Sequence, residues 1–107
     1  MELSQYQMVL VNLDPTIGSE VKKTRPCVIL SPDEMNRHLQ TIVIAPVTNT
    51  SKSYPTRLEI KFKKTKGWIV LDQIRTIDRR RIHKVLDVLI PKDVVKVKSI
   101  IMETYVS

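Results

Sequence analysis

The chain has 107 residues, 42% hydrophobic and 27% charged, a composition that excludes intrinsic disorder and fits one globular domain over residues 1–107. Its apolar runs fall short of the roughly 18 to 20 residues of a membrane span, and the opening MELSQYQ lacks the basic and apolar regions of a secretory signal, so the expected setting is the cytoplasm with no membrane partner. The formal charge of +7 is uneven: residues 52–84 hold eleven of the eighteen Lys and Arg against three acids, a local +8 that points either to a phosphate-rich partner or to a solvated basic face.

In chain order, MVLVNL (8–13), PCVIL (26–30) and TIVIAPV (41–47) are short apolar runs rich in β-branched residues and bounded by Pro, Asn, Ser or Thr, which predicts strands. TRLEIKF (56–62) and WIVLDQI (68–74) flank the turn-like KKTKG, which predicts an antiparallel hairpin. IHKVLDVL (82–89) predicts a sixth strand. A meander this short curls into a small barrel, because curling hides the strand edges.

Two helices are expected within this sheet. Ser31 and Glu34 have capping-box spacing with Pro32 at the first helical position, predicting about two turns that end near His38. The second helix opens at Pro91, carries Asp93 in its first turn and presents Val94, Val97, Ile101 and Tyr105 on one face. Its β-branched residues are weak helix formers, so docking has to hold it. The loops at 14–24 and 48–55 are longer than simple hairpins require, a length associated with function.

The residue types exclude several chemistries. The acids are scattered and the two histidines, His38 and His83, share no metal-ligand spacing, so no metal or other cofactor is expected. Glycine-rich nucleotide cradles are absent, and Gly18 reads as a turn residue. Five aromatics are too dispersed along the chain for a stacking sheet, and the single cysteine, Cys27, lies among strand residues as a buried small hydrophobe. What remains is Arg25 at the start of the second strand and Thr48 at the end of the third. If these strands are antiparallel neighbours, the two side chains meet, and an arginine beside a hydroxyl in a basic cleft can stabilise a pentavalent phosphorus transition state. Separately, Arg25 also reads as an ion-pair partner of Glu20, and Thr48 as a turn-stabilising hydroxyl.

NLDPTIGSEVKKTRPCVILSP, PVTNTSKSYPTRLEI and LDQIRTIDRRRI together resemble the MazF/PemK family of toxin endoribonucleases. The matching pattern covers about residues 8–89: a strand ending in L-D-P, then G-S-E, R-P, P-x-T with a following Y-P, and D-Q-I-R-T-I before a basic stretch. The resemblance implies a mainly β fold with α, a small SH3-like antiparallel β-barrel with a short helix after strand 2 and a C-terminal helix. It further implies a homodimer, a cognate antitoxin with an acidic flexible segment, and metal-independent cleavage of single-stranded RNA. On the matching positions it makes Arg25 and Thr48 the catalytic pair, with Glu20 orienting Arg25 or assisting proton transfer. Gly18, Ser19, Asn49, Ser51, Gln73 and Arg75 become expected substrate contacts. Tyr6-Gln7 replaces the family's frequent Gly-Asp, and GSEVKK replaces G-S-E-Q-x-G, so target sequence does not carry over. The alternative is a non-catalytic toxin related to CcdB that binds a protein such as DNA gyrase.

Overall fold

A computed structural model describes residues 2–13, 24–62 and 65–106, and the side chains of these except that of Thr65. The strands are β1 (Gln7–Asn12), β2 (Thr24–Ile29), β3 (Thr41–Thr48), β4 (Arg57–Phe62), β5 (Thr65–Val70), β6 (Arg75–Asp78) and β7 (Ile82–Val88). Helix α1 (Asp33–His38) follows β2, a 3₁₀ turn (Arg79–Arg81) links β6 to β7, and α2 (Pro91–Ile101) runs on into a π-helical turn (Met102–Val106).

These strands form one antiparallel sheet in the order β4-β5-β3-β2-β1-β7, with β6 also paired to β3. It curls into a half-barrel, giving the mainly β fold with two helices that the apolar runs predicted. β3 is its organising strand. One edge pairs with β2, while the other is divided between β6, opposite Thr41 to Ile44, and β5, opposite Val47 and Thr48.

Alternation along these strands supplies two cores. Cys27 and Ile29 on β2, Ile42 and Ile44 on β3, and Val9 and Val11 on β1 join Ile77 and Ile82 in the first. Val28, Ala45, Val47 and Met8 face the opposite way and meet Ile60, Ile69, Leu71 and Val97 in the second. The docking that α2 needs is visible here: Val97 is fully buried, and the Tyr105 hydroxyl donates to the Leu71 carbonyl at 2.6 Å. Among the described residues no helix is long and apolar enough to cross a membrane.

Three sequence expectations need correction. The apolar run 68–74 is not one strand: β5 stops at Val70, a turn at Leu71 and Asp72 intervenes, and a separate strand, β6, begins at Arg75, so the sheet has seven strands rather than six. Residues 65–67, read as part of the turn, belong to β5. Nor does Ser31 cap α1. Pro32 occupies the N-cap, and no side chain caps the helix. The buried Ser31 hydroxyl instead donates to Asn36 Oδ1 at 2.6 Å and accepts from the Val43 amide at 3.1 Å, while Asn36 Nδ2 donates to the Ser31 carbonyl at 3.0 Å. A buried asparagine has to find several partners, and this network supplies them while tying α1 to β3.

Candidate functional site

The β2–β3 ladder pairs Cys27 with Pro46, Val28 with Ala45 and Ile29 with Ile44. Continuing that register by two residues sets Arg25 opposite Thr48, the juxtaposition expected of antiparallel neighbours. The two residues line one open cleft of about 330 Å³, with Thr24 and Pro26 on one side and Val47, Asn49 and Thr50 on the other. The cleft follows from the local sequence. Pro26 fixes the backbone directly after Arg25, and the apolar residues of β2 and β3 bury themselves below, leaving the polar strand ends at the rim.

Arg25 is exposed and Thr48 is half-buried. The Thr48 hydroxyl donates to the Thr50 carbonyl at 3.2 Å, a contact that a rotating hydroxyl can exchange for a ligand oxygen. Beneath them lies Cys27, whose thiol donates to the Arg25 carbonyl at 3.6 Å. Burial pushes this thiol up to about 12, although the charges of Arg25 and Arg75 pull the other way. Desolvation wins, so Cys27 is a packed hydrophobe, as its neighbours in sequence indicated.

Arg75 arrives from β6, opposite Ile44, and shares the strand face of Ile77. It does not line the cleft, and neither does Gln73, which is exposed in the turn after β5. Asn49 is a cleft residue. Ser51 sits one step outside: its hydroxyl accepts from Arg57 Nη1 at 3.0 Å and donates to the Lys52 carbonyl at 2.9 Å. Gly18, Ser19 and Glu20 lie outside the described residues, as does the proposed pairing of Glu20 with Arg25. His38 ends α1 and His83 lies on β7, both exposed.

Sequence reading missed the residues that hold the 49–56 loop. Arg57 reaches Asp72 through Nε to Oδ1 at 3.2 Å and Nη2 to Oδ2 at 3.3 Å, and its guanidinium lies 5.0 Å from the centre of the Tyr54 ring. Thr56 adds a hydroxyl donor to Asp72 at 3.2 Å, and this hydrogen bonding, Arg57 first, holds the Asp72 carboxyl below its usual range. The signal was the D-Q pair, read only for its glutamine. The three consecutive arginines are also not one patch. Arg79 donates to the Asn36 and Leu39 carbonyls at 2.6 and 3.0 Å, satisfying the end of α1, and Arg80 pairs with Asp78 at 2.9 Å.

Residues 4–105 match the model of a family described as PemK-like, MazF-like toxins of type II toxin–antitoxin systems. A curated relative, the endoribonuclease MazF of Staphylococcus epidermidis, is 34% identical over 96 residues, spanning 84% of this chain and 80% of that protein. The chain belongs to this family. Its fold agrees with solved MazF-type structures. An endoribonuclease in complex with its cognate antitoxin, from a mycobacterial species, superposes with a TM-score of 0.81 at 20% identity, covering 94% of this chain and 92% of that one. The MazE–MazF complex of Deinococcus radiodurans gives 0.79 at 21% identity, covering 96% and 94%. Within this PemK/MazF-family chain, the R-P motif and Val47 and Thr48 of P-x-T line the cleft.

Proposed function

We propose that this PemK/MazF-family toxin is an endoribonuclease that cuts single-stranded RNA, with Arg25 and Thr48 as its catalytic pair. The observation that carries the reading is the cleft lined by both Arg25, at the start of β2, and Thr48, at the end of β3. The Staphylococcus epidermidis relative and the mycobacterial structure are named as endoribonucleases, which favours RNA cleavage over the gyrase-binding alternative.

In this reading the RNA supplies its own nucleophile. A ribose 2′-oxygen attacks the adjacent phosphorus, the bond from phosphorus to the 5′-oxygen breaks, and the products carry a 2′,3′-cyclic phosphate and a 5′-hydroxyl. The protein's tasks are to align the three reacting atoms and to stabilise charge on the non-bridging oxygens. Arg25 supplies a planar fork of donors for those oxygens, a role that suits a guanidinium better than proton donation does. Thr48 adds a neutral donor from the opposite strand. Glu20 is assigned to orient Arg25 or to take the 2′-hydroxyl proton, and Gly18, Ser19, Asn49, Ser51, Gln73 and Arg75 to hold the flanking nucleotides. Gln73 carries both donor and acceptor for a base edge.

Two partners belong to the same reading: a second copy of the chain, and an antitoxin whose acidic segment lies on the basic surface. Sedimentation at micromolar concentration tests the first, with a dimer mass expected. For the reaction, labelled single-stranded RNA is incubated with the toxin in excess chelator, and the new ends are analysed. Cleavage leaving cyclic phosphates is expected; an enzyme that is inert in chelator and revived by Mg²⁺ overturns the metal-independent mechanism.

A further inference from the structure

Thr48 has a second cross-strand neighbour, and it is the chain's single tryptophan. β5 pairs with the free edge of β3 so that Trp68 stands directly opposite Thr48 and Ile69 opposite Val47. Residues directly opposite in an antiparallel ladder project to the same side. The neighbours of Trp68 settle which side: Ile69 is buried in the second core, and a Cβ built on Gly67 points at Val47 of that core. Trp68 therefore projects from the other face, the one carrying Thr48 and, across the next ladder, Arg25.

Arg25, Thr48 and Trp68 thus form one row across three strands. With strands about 4.8 Å apart, the backbone of Trp68 lies about 10 Å from that of Arg25. That reach suits one nucleotide, whose phosphate and base lie on opposite sides of a single sugar. Trp68 is half-buried, so part of the residue stays open to solvent on the face of Arg25 and Thr48. Trp68 does not line the cleft itself but stands one strand beyond it, beside Thr48; an aromatic side chain next to a phosphate-binding arginine is a device by which proteins hold unstacked bases of single-stranded RNA.

We propose that Trp68 is a positioning residue on which a base flanking the cleaved phosphate stacks, fixing the RNA strand against Arg25 and Thr48. This rests on the endoribonuclease reading. Because every base has a π-face, the contact orders the strand without choosing a sequence, and selection among bases falls to hydrogen-bonding groups elsewhere.

The single tryptophan makes the test direct. Wild-type toxin is titrated with a mixed-sequence 2′-O-methyl RNA, which lacks the 2′-hydroxyl nucleophile and stays intact, while indole emission and the anisotropy of a dye on the RNA are followed together. Emission is expected to change in step with anisotropy. Binding by anisotropy with unchanged emission overturns the proposal. In cleavage assays Trp68→Leu keeps apolar bulk without a ring and is expected to raise KM about tenfold with a smaller effect on kcat, whereas Trp68→Phe restores most of the loss. Equal KM for wild type and Trp68→Leu overturns the stacking role and leaves the nuclease reading standing. A wild-type protein that cuts no RNA removes that reading instead, and emission that responds to an acidic peptide but not to RNA assigns the ring to a protein partner and overturns the proposal.

Discussion

Gly67 on β5 and Val47 on β3 touch where a side chain has no room: a Cβ on Gly67 would lie 2.9 Å from Val47 Cγ1 and 3.5 Å from the Thr48 carbonyl oxygen. The glycine lets β5 approach β3 at the residue that precedes Thr48. Gly67→Ala is therefore expected to cost about 1–3 kcal/mol of stability by overpacking, and to lower cleavage by displacing Thr48. Thermal unfolding and kcat measure both effects. Because the clash is with one methyl group, Val47→Ala in the same chain is expected to recover part of each loss, a coupling absent if the sites are independent.

Loss of either cleft side chain is expected to be chemical rather than structural. Arg25→Ala and Thr48→Ala each remove an atom group at the rim and leave no core cavity, so cleavage falls at least about tenfold while the melting temperature hardly moves. Arg25→Lys keeps the charge without the planar fork and is expected to stay impaired. A folded Arg25→Ala toxin that cuts at the wild-type rate refutes the assignment.

Arg57 and Asp72 are expected to control the 49–56 loop more than global stability, since the pair is partly solvated and exposed pairs contribute little. In Asp72→Asn, trypsin is expected to cut after Lys52 faster than in wild type, with little change in melting temperature. The pH dependence has a definite sign. Asp72 is held below its ordinary value of 3.8, so the clamp is complete above that pH and is lost only as pH falls below it. Loop mobility by NMR that is constant from pH 7 to 5 and rises below about 4 is the expected profile.

Cys27 is expected to resist alkylation in the folded protein at pH 8 and to react once denaturant unfolds it. Its folded value of about 12 exceeds the ordinary 9.0, so the neutral thiol's contribution to stability is complete below 9.0 and is lost as pH rises toward about 12. Rapid labelling of native toxin at pH 8 contradicts the buried placement.

An acidic peptide from the antitoxin is expected to compete with RNA, since the field of residues 52–84 attracts carboxylates and phosphates alike. Its association rate is expected to fall as salt rises from low to physiological, because rim charges are screened over about 8–10 Å. A rate indifferent to salt, with RNA binding intact, contradicts a shared surface.

Local pattern carried much of this. The Pro residues at the helix starts, the alternation around Cys27 and the placing of Arg25 and Thr48 at strand ends are near-neighbour properties, and an antiparallel ladder sets the last two at one cleft. The L-D-P, R-P, P-x-T and D-Q motifs carried the family. Tertiary structure decided what depends on distant partners. The polar pair Asp72-Gln73 interrupts the run 68–74, but that alone did not show the strand ending after Val70; the break arises where one edge of β3 passes from β6 to β5 and where Asp72 turns toward Arg57. Ser31 has the spacing of a cap, yet the buried Asn36 and the Val43 amide claim its hydroxyl, since an unsatisfied polar group in the interior costs more than an uncapped end open to water. Five aromatics scattered through the chain gave no stacking surface on paper; pairing β5 with β3 put Trp68 beside Thr48, twenty residues away in sequence and one strand away in space.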